Sequence, residues 1–424
     1  MNSPLKVLIV APNASAKFGG EAILPLHYFE KLAARDISVF MIVHERTKLE
    51  LEARLGDNIH NVTFIKDRKL HQILCKLSMS LPRKVGDFSF GVLLDLATQW
   101  EQRKIALNLI KQHDISVVHQ PTPVSPKSPS MMYSMGVPVI IGPMNGGMVY
   151  PAAFAGKESR FERMFMRGGR AASNLINRLI PGKRNANTLL VANNRTRLAL
   201  PGGCRGDVVE LVENGVDLRV FRQPEQATNS TLGEEKIKLA FVGRLVGWKA
   251  IDILLDAVAS IANKNFELHI LGDGDQRINL QQQAKSLGIE QQVVFHGFLE
   301  QSKCAEFLTS CRCLVLPSLY ECGGAVVLEA MALGVAVIAS GWGGPADYLD
   351  DSCGILLDVS RGREAFKKEI AEAIGKVLDD PDSCKAMGNC GKQKIQNIYS
   401  WDKKIDSILE IYKSAIESSP RKSI

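Results

Sequence analysis

The sequence of 424 residues lacks the features that mark membrane and secreted proteins. No apolar run has the roughly 18 uncharged residues that a membrane-spanning helix needs, and the longest one, residues 323–340, carries Glu329 in its middle. The apolar stretch at residues 5–12 is too short for a signal peptide, and no small-residue cleavage site follows it. The nine cysteines form no Cys-x-x-Cys pair, so we expect reduced, mostly buried thiols in a cytosolic protein.

The motifs of several enzyme classes are absent as well. There is no Gly-x-Ser-x-Gly, His-Glu-x-x-His or Walker A pattern, which disfavours a serine hydrolase, a zinc protease and a P-loop NTPase. What is present is ordinary for a soluble globular chain, with 46% hydrophobic and 23% charged residues. This composition excludes a disordered or fibrous protein, and the length predicts two or three domains.

The net charge of +7 has a local origin. Residues 157–197 contain ten Lys or Arg but only Glu158 and Glu162, and Phe and Met residues are interleaved with the cations. One interpretation is a basic amphipathic surface that contacts anionic lipid, at the inner face of the plasma membrane, or an acidic acceptor. The alternative is a solvated helix face. No nucleic-acid-binding module accompanies the charge, so we expect no nucleic-acid partner.

Short β-branched runs alternate with longer helical stretches along the whole chain. This alternation is typical of an α/β fold in which helices cover both faces of a parallel sheet, and ligands bind at the carboxyl ends of its strands. The pattern restarts near residue 208, which predicts a second α/β domain. The predicted strands of the first half are 6–10, 39–43, one that ends at 117–118, 137–141 and 189–192. Those of the second half are 208–212, 238–242, 267–271, 293–295, 313–316 and 335–339.

Two clusters of functional residues follow predicted strands of the second half. Arg244 and Lys249 lie in one strand-end loop, and their natural complement is a phosphate or diphosphate. Unpartnered surface cations are the equally weighted alternative for this segment alone. In the second cluster, Gly323 and Gly324 allow a ligand to approach the backbone at a helix N-terminus, where free amides suit an anion.

Two carboxylates flank those glycines. Glu321 lies in the loop and Glu329 in the predicted helix, so they can accept hydroxyl hydrogen bonds from two parts of one ligand. Cations for phosphates together with carboxylates for hydroxyls describe a nucleotide sugar. An ion pair with a lysine is the alternative for Glu329, but its apolar surroundings disfavour it.

Strand-end loops of the first half predict the acceptor site. Residues 119–129 hold four prolines, which stiffen the loop, and Gly142-Pro143-Met144-Asn145-Gly146-Gly147 follows the next strand. We expect His119, Asn145, Gly146 and Gly147 to contact an acceptor. Two purely structural turns are the alternative.

The segment 321–329 resembles the Glu-x7-Glu signature of the retaining glycosyltransferases of family 4, which have the GT-B fold. Further similar segments are Gly19-Gly20-Glu21, Asn214-Gly215-Val216-Asp217, Gly243-Arg244 with Lys249, Gly272-Asp273-Gly274, Phe295-His296-Gly297 and Gly343-Gly344-Pro345. The sequence departs from the family at Ala250, where many members have Gly. It also departs at Gln120-Pro121, where a second His two residues after His119 is missing.

The resemblance implies two Rossmann-like doubly wound domains that face a cleft. Their expected bounds are 1–207 for the acceptor domain, to which a C-terminal helix at 401–418 returns, and 208–400 for the nucleotide-sugar domain. It also implies hexosyl transfer to a saccharide or lipid-linked acceptor with retained anomeric configuration. We expect Arg244, Lys249 and Glu321 to be catalytic. The predicted donor contacts are Gly19, Gly20, Gly243, Arg244, Lys249, Gly272, Gly274, Phe295, Gly297, Glu321, Gly323, Gly324, Ala325, Val326 and Glu329.

No cofactor or metal is expected in this chemistry. Asp273-Gly274-Asp275 mimics the Asp-x-Asp metal motif of a different glycosyltransferase fold, but Arg244 and Lys249 already supply the charge that a metal would. The resemblance favours a role in cell-surface polysaccharide or glycolipid synthesis. Two alternatives are a nucleotide-sugar epimerase on the same fold, which would act on the donor alone, and a catalytically idle sugar-nucleotide-binding partner, which need not keep all four charged residues.

Overall fold

The computed structural model of the protein describes residues 4–18, 20–80, 90–157, 172–221 and 236–419. The chain divides into two compact units. The first unit comprises Met1–Gly147, Ser159–Glu213 and Lys404–Ile424, and the second comprises Met148–Glu158 and Asn214–Lys403. Each unit is built on one parallel β-sheet with helices in the connections, as the alternating sequence pattern predicts.

The sheet of unit 1 has the strand order of a doubly wound fold. Its strands are β1 (Lys6–Val10), β2 (Ser38–His44), β3 (Val62–Ile65), β4 (Val117–Gln120), β5 (Val139–Met144), β6 (Thr188–Val191) and β7 (Asp207–Glu210). Helices between them include α1 (Ile23–Ala33), α2 (Lys48–Leu55), α3 (Lys69–Met79), α4 (Val92–His113), α5 (Gly182–Asn185) and α6 (Asn194–Leu198). Among the described residues the order is β3-β2-β1-β4-β5-β6-β7, with every pair parallel.

Unit 2 repeats this order with six described strands. They are β8 (Ile237–Val242), β9 (Phe266–Leu271), β10 (Val293–Gly297), β11 (Cys313–Leu316), β12 (Ala336–Ser340) and β13 (Ile355–Leu357). The helices are α7 (Ile251–Ser260), α8 (Arg277–Ser286), α9 (Gln301–Thr309), α10 (Ala325–Ala332), α11 (Gly344–Tyr348), α12 (Arg363–Asp379) and α13 (Pro381–Lys394). The parallel order in the described part of the unit is β10-β9-β8-β11-β12-β13.

The core of each unit is formed by strands that are buried along most of their length. Val7–Val10 of β1 and Cys313–Leu316 of β11 have no exposed surface. Parallel strands covered on both faces need continuous apolar sequence, which is why these runs are readable from the sequence. The strand order reverses between β1 and β4 and again between β8 and β11, so each unit has a switch point at the carboxyl ends of those strands.

The division of the chain differs from the expected bounds in two places. The strand predicted at 208–212 is β7, and it pairs with β6 in the sheet of unit 1, so unit 2 begins at Asn214 rather than at residue 208. Residues 148–157 leave unit 1 and pack with unit 2 instead. Sequence reasoning also missed α4, because its buried residues include the polar Thr98, Gln99 and Gln102 and show no apolar periodicity.

The last helix, α14 (Trp401–Ser418), belongs to unit 1 from Lys404 onward. Its Tyr412 hydroxyl lies 2.7 Å from Nδ1 of His119, whose Nε2 donates to the carbonyl of Gly142 at 2.7 Å. Because Nε2 carries the ring proton, Nδ1 accepts the proton of Tyr412. The ammonium of Lys404 donates to the carbonyl of Glu213. These buried hydrogen bonds attach the helix to β4 and β5 and to the segment after β7.

Glycines allow the strand-end loops of unit 2 to touch. Gly272, after β9, has a φ of 141°, and a β-carbon there would overlap the carbonyl oxygen of Gly243 after β8. Gly247, in the same loop as Gly243, has no atom within 4 Å of an added β-carbon. A side chain is therefore excluded at the first position and tolerated at the second.

We expect Tyr412→Phe to lower the free energy of unfolding of unit 1 by about 1–3 kcal/mol, because it leaves the buried Nδ1 of His119 without a donor. Chemical denaturation followed by circular dichroism measures this. Tyr133→Phe is the matched control, since it keeps the ring on which Arg103 lies at 4.6 Å. Equal stability of the two variants would show that the buried hydrogen bond does not attach α14.

Gly272→Ala should destabilise unit 2 by about 1–3 kcal/mol, because the new methyl group meets backbone that cannot move without shifting β8. Gly247→Ala should change stability by less than about 0.5 kcal/mol. Thermal denaturation of both variants measures the difference. A tolerated Gly272→Ala would contradict the close approach of the two loops.

Candidate functional site

The candidate donor site is formed by the loops after β8 and β11, which are neighbouring strands at the switch point of unit 2. Lys249 lies in a short 3-10 turn, Gly247–Lys249, directly before α7. Glu321 lies in the loop between β11 and α10. Ala250 ends the turn in the left-handed conformation with a φ of 51°, at the position where the resembling family often has Gly.

Lys249 and Glu321 form an ion pair between these two loops. The ammonium of Lys249 contacts the carboxylate of Glu321, and the side chains are only 13% and 16% exposed. The same ammonium lies 3.7 Å from the position of a β-carbon on Gly243, so it also faces the end of β8. The structure thus brings together the cation predicted to bind phosphate and the carboxylate predicted to bind sugar hydroxyls.

Arg244 is placed differently from Lys249. Its side chain is exposed, and its guanidinium lies 5.8 Å from the ring centroid of Trp248 in a cation–π arrangement. Among the described residues it does not join the ion pair of Lys249 and Glu321. Its charge is therefore available at the surface of the same loop.

Glu329 lies on α10, one helix turn beyond the strand-end loop. Its Oε1 accepts a hydrogen bond of 2.9 Å from the side-chain amide of Gln301, the first residue of α9. Burial raises the pKa of Glu329, and the Gln301 amide partly offsets this effect. The sequence does not reveal Gln301, because the two positions are 28 residues apart. Gly324, with a φ of 63°, precedes α10, so the backbone amides of Ala325 and Val326 lie in its first turn.

The loop after β12 fixes the backbone of Glu321. The amide of Gly344 donates to the carbonyl of Glu321 at 2.8 Å. A β-carbon on Gly343 would overlap this carbonyl oxygen, and one on Gly344 would overlap the carbonyl of Gly323. These two glycines therefore position the loop that carries Glu321 and Gly323.

A segment of unit 2 that comes from the first half of the sequence also borders this loop. Tyr150 packs on Tyr320 with ring centroids 5.2 Å apart, and the indole of Trp342 donates to the carbonyl of Val149 at 2.9 Å. Sequence reasoning missed both contacts, because residues 148–158 were assigned to the other domain.

The loops after β9 and β10 support the β8 loop. The amide of Gly272 donates to the carbonyl of Gly297 at 2.8 Å, and Gly274 lies against the backbone of Leu245. Phe295 is half-buried on β10. Asp273 accepts hydrogen bonds from the amide of Gly274 and the guanidinium of Arg277, both at 2.8 Å, which lowers its pKa. Its carboxylate is thus engaged within the unit.

The prediction that His119 and Asn145 contact an acceptor is wrong. His119 has no exposed surface, both ring nitrogens are hydrogen-bonded, and burial lowers its pKa to about 4. Asn145 is 5% exposed, and its amide donates to Glu213 at 2.6 Å. Both side chains support unit 1 internally. Gly146 is half-buried and Gly147 is exposed, so they remain candidates.

For the remaining predicted residues, the contacts that the structure describes do not identify a ligand. Gly20 is exposed at the start of a 3-10 turn, Gly20–Ala22, whereas Gly19 lies outside the described residues. Part of the basic stretch at 157–197 falls outside them too, since residues 158–171 are not described. Within the described chain, no helix combines the length and apolar character required to cross a bilayer.

Comparison with known proteins finds sequence similarity centred on unit 2. Residues 222–394 match the family described as glycosyl transferases group 1. A D-inositol 3-phosphate glycosyltransferase of Catenulispora acidiphila is 27% identical, over 80% of this chain and 78% of its own. An alpha-maltose-1-phosphate synthase of Mycolicibacterium smegmatis is 30% identical, over 51% of this chain and 62% of its own.

An uncharacterised glycosyltransferase of Methanocaldococcus jannaschii is 29% identical over 51% of this chain. The match spans 56% of that relative, so this chain spans little more than half the length of some of the curated relatives it matches.

Solved structures show the same fold across nearly the whole chain. The Anabaena protein HepE, solved in complex with UDP, superposes with a TM-score of 0.66 at 16% identity, over 97% of this chain and 100% of its own. A glycosyltransferase of Rickettsia africae gives a TM-score of 0.67 at 14% identity, over 99% and 100%. The fold is therefore that of the GT-B glycosyltransferases, and residues 222–394 carry the sequence pattern of glycosyl transferases group 1.

Proposed function

We propose that this protein is a retaining glycosyltransferase of family 4 that transfers a hexosyl group from a nucleotide-diphospho-sugar to a hydroxyl acceptor. The ion pair of Lys249 and Glu321 at the switch point of unit 2 carries this proposal. The match of residues 222–394 to glycosyl transferases group 1 supports it. So does the fold shared with HepE, which has been solved with UDP and with UDP-glucose.

The negative charge that develops when the donor bond breaks determines the roles of Lys249 and Arg244. During transfer, the bond between the sugar C1 and the donor phosphate oxygen breaks, so negative charge grows on the leaving diphosphate. Lys249 and Arg244 stabilise that charge, helped by the first amides of α10 after Gly324. No metal is required in this scheme, because the two side chains and the helix amides supply the positive charge.

The carboxylates orient the donor. In the ligand-free pair Lys249 neutralises Glu321, and a bound diphosphate takes over the ammonium while Glu321 turns to the sugar hydroxyls. Glu329 accepts hydrogen bonds from the ribose, and Gln301 holds its carboxylate in position. The donor site is completed by the backbone of Gly243, Gly272, Gly274 and Gly297 and by Phe295.

Retention follows when the acceptor oxygen bonds to C1 on the face that the leaving group vacates. The acceptor proton then passes to the donor phosphate oxygen, so no carboxylate nucleophile is needed, in contrast to a retaining glycosidase. Gly146 and Gly147 of unit 1 offer half-buried and exposed backbone for the acceptor, and the exposed Gly20 offers backbone amides for the donor phosphate. A saccharide or lipid-linked saccharide of cell-surface polysaccharide or glycolipid synthesis is the proposed acceptor class, reached through peripheral membrane contact by the basic stretch.

Lys249→Met should lower transferase turnover about 10²–10³-fold, because it removes a preorganised contact to the developing charge. The assay follows product formation from radiolabelled nucleotide sugar with a panel of saccharide acceptors, and NMR of the product gives its anomeric configuration. Lys264→Met, at an exposed lysine of the same unit, is the control and should keep full activity. Normal turnover of Lys249→Met would refute the assigned role, and a product formed from donor alone would favour an epimerase.

Donor affinity should decrease as the pH is lowered. This decrease should begin at a higher pH than the protonation of a glutamate with an ordinary pKa would produce. The reason is that burial raises the pKa of Glu329, whereas only its ionised form accepts hydrogen bonds from both ribose hydroxyls. Calorimetry with UDP-glucose between pH 4.5 and 8 measures the dissociation constant, since the diphosphate of this probe does not titrate in that range.

Glu329→Gln should bind UDP-glucose more weakly at pH 8 and lose this pH dependence. Glu306→Gln, at an exposed residue of α9, should behave as the unmodified protein. A pH profile that is identical in the protein and in Glu329→Gln would remove Glu329 from the ribose site.

A further inference from the structure

Three potential metal ligands converge at one edge of the unit 1 sheet, on residues that the proposed transfer does not use. His44 ends β2, Asp67 follows β3, and His71 lies in the first turn of α3. Strands β2 and β3 are neighbours, with His44 paired to Ile65, so their carboxyl ends deliver these residues to one place. One ligand atom from each of the three side chains lies within 4.8 Å of the others.

Both imidazoles present a buried nitrogen without a hydrogen-bond partner. His44 is 3% exposed and His71 is 1% exposed, and in the part of the chain that the structure describes neither Nε2 atom forms a hydrogen bond. Burying an unsatisfied polar atom is costly, so two such atoms beside one carboxylate require an explanation. A shared ligand that bonds to both Nε2 atoms supplies one.

The spacing and chemistry of the three side chains suit a zinc-class cation. Nε2 of His44 lies 3.3 Å from Oδ1 of Asp67. Two ligands at about 2.0 Å from a tetrahedral Zn²⁺ are about 3.3 Å apart. Two imidazoles and a carboxylate match the preferences of Zn²⁺ and its neighbours rather than those of Mg²⁺ or Ca²⁺. The Asp67 side chain is 33% exposed, which leaves a path for the ion to enter.

Metal binding must change which nitrogen of each imidazole ring carries the proton. Nδ1 of His44 accepts from the amide of Arg46 at 3.3 Å, and Nδ1 of His71 accepts from the amide of Arg68 at 3.2 Å. In this state each neutral ring carries its proton on Nε2. Binding of a cation at Nε2 moves the proton to Nδ1 and breaks these two long N–H···N hydrogen bonds. Both amides therefore report on occupancy.

A competing charge lies beside the three ligands. The guanidinium of Arg46 contacts Oδ1 of Asp67 at 3.2 Å. This contact keeps the carboxylate close to His44, but it also repels an incoming cation and occupies one ligand oxygen. Removal of the Arg46 charge should therefore strengthen metal binding, whereas removal of the Asp67 charge should weaken it.

We propose that His44, Asp67 and His71 form a binding site for a divalent transition-metal ion of the zinc class. The ion joins the carboxyl ends of β2 and β3 to the start of α3 and so stabilises this edge of unit 1. Three protein ligands leave one coordination position for water. The site is independent of the proposed sugar transfer, for which no metal is required.

The test uses the metal-free full-length protein and Zn²⁺ alone, titrated in competition with a chromophoric chelator. The expected result is one ion per chain, with an affinity that Asp67→Asn and His71→Gln each lower at least about 100-fold. Arg46→Gln should raise the affinity. His60→Gln, at an exposed histidine of unit 1, is the control and should leave it unchanged. Circular dichroism verifies that every variant is folded.

Two further readouts separate this site from binding elsewhere. Amide hydrogen exchange at Arg46 and Arg68 should change when Zn²⁺ is added, and addition of Co²⁺ should produce the visible absorption of a low-coordinate site. The proposal is overturned if Asp67→Asn and His71→Gln bind Zn²⁺ as tightly as the unmodified protein. It is also overturned if binding is lost in His296→Gln, which would place the ion at the stacked His269 and His296 of unit 2.

Discussion

The contact between Lys249 and Glu321 is the interaction on which the proposed chemistry of unit 2 depends. It joins the loops after β8 and β11 at the point where the strand order reverses, and little of either side chain is exposed. A cation and a carboxylate that neutralise each other remain ordered without a ligand. A diphosphate-sugar offers a partner to each of them at once, with its phosphates for the ammonium and its hydroxyls for the carboxylate. The pair is thus a preorganised site in which ligand binding exchanges partners rather than ordering loose side chains.

Most of unit 2 follows from local sequence. Strands β8 to β12 are largely apolar runs that end in glycine or are followed by glycine or proline, and β11 has the bounds that the sequence predicts. Strand β13 was not predicted. The helix whose N-terminus is predicted at Gly323 and Gly324 begins at Ala325, because Gly324 caps it in the left-handed conformation. Buried parallel strands require continuous apolar sequence, and the turns that follow them require glycine where backbones meet. Both requirements concern residues that are adjacent in sequence, so the sequence shows them without knowledge of the fold.

The predictions that fail concern residues whose partners are distant in sequence. His119 resembles a ligand contact because it is a polar residue at a strand end, but its hydroxyl donor comes from Tyr412, 293 residues later. Asn145 is bound by Glu213 in the same way, across 68 residues. The sequence does not reveal the hydrogen bond from Gln301 to Glu329 for the same reason. A single sequence shows that a polar residue lies at a strand end. Segments that are distant in sequence decide whether this residue faces a ligand or the interior.

In the proposed function, Lys249 of the switch-point pair binds the donor diphosphate. Isothermal titration calorimetry of the purified protein against UDP-, GDP-, ADP- and dTDP-sugars, without acceptor, tests it most directly. We expect micromolar binding of one donor class by the unmodified protein and by Lys264→Met, and loss of that binding in a folded Lys249→Met variant. Binding of the same donor with an unchanged dissociation constant in Lys249→Met would contradict it.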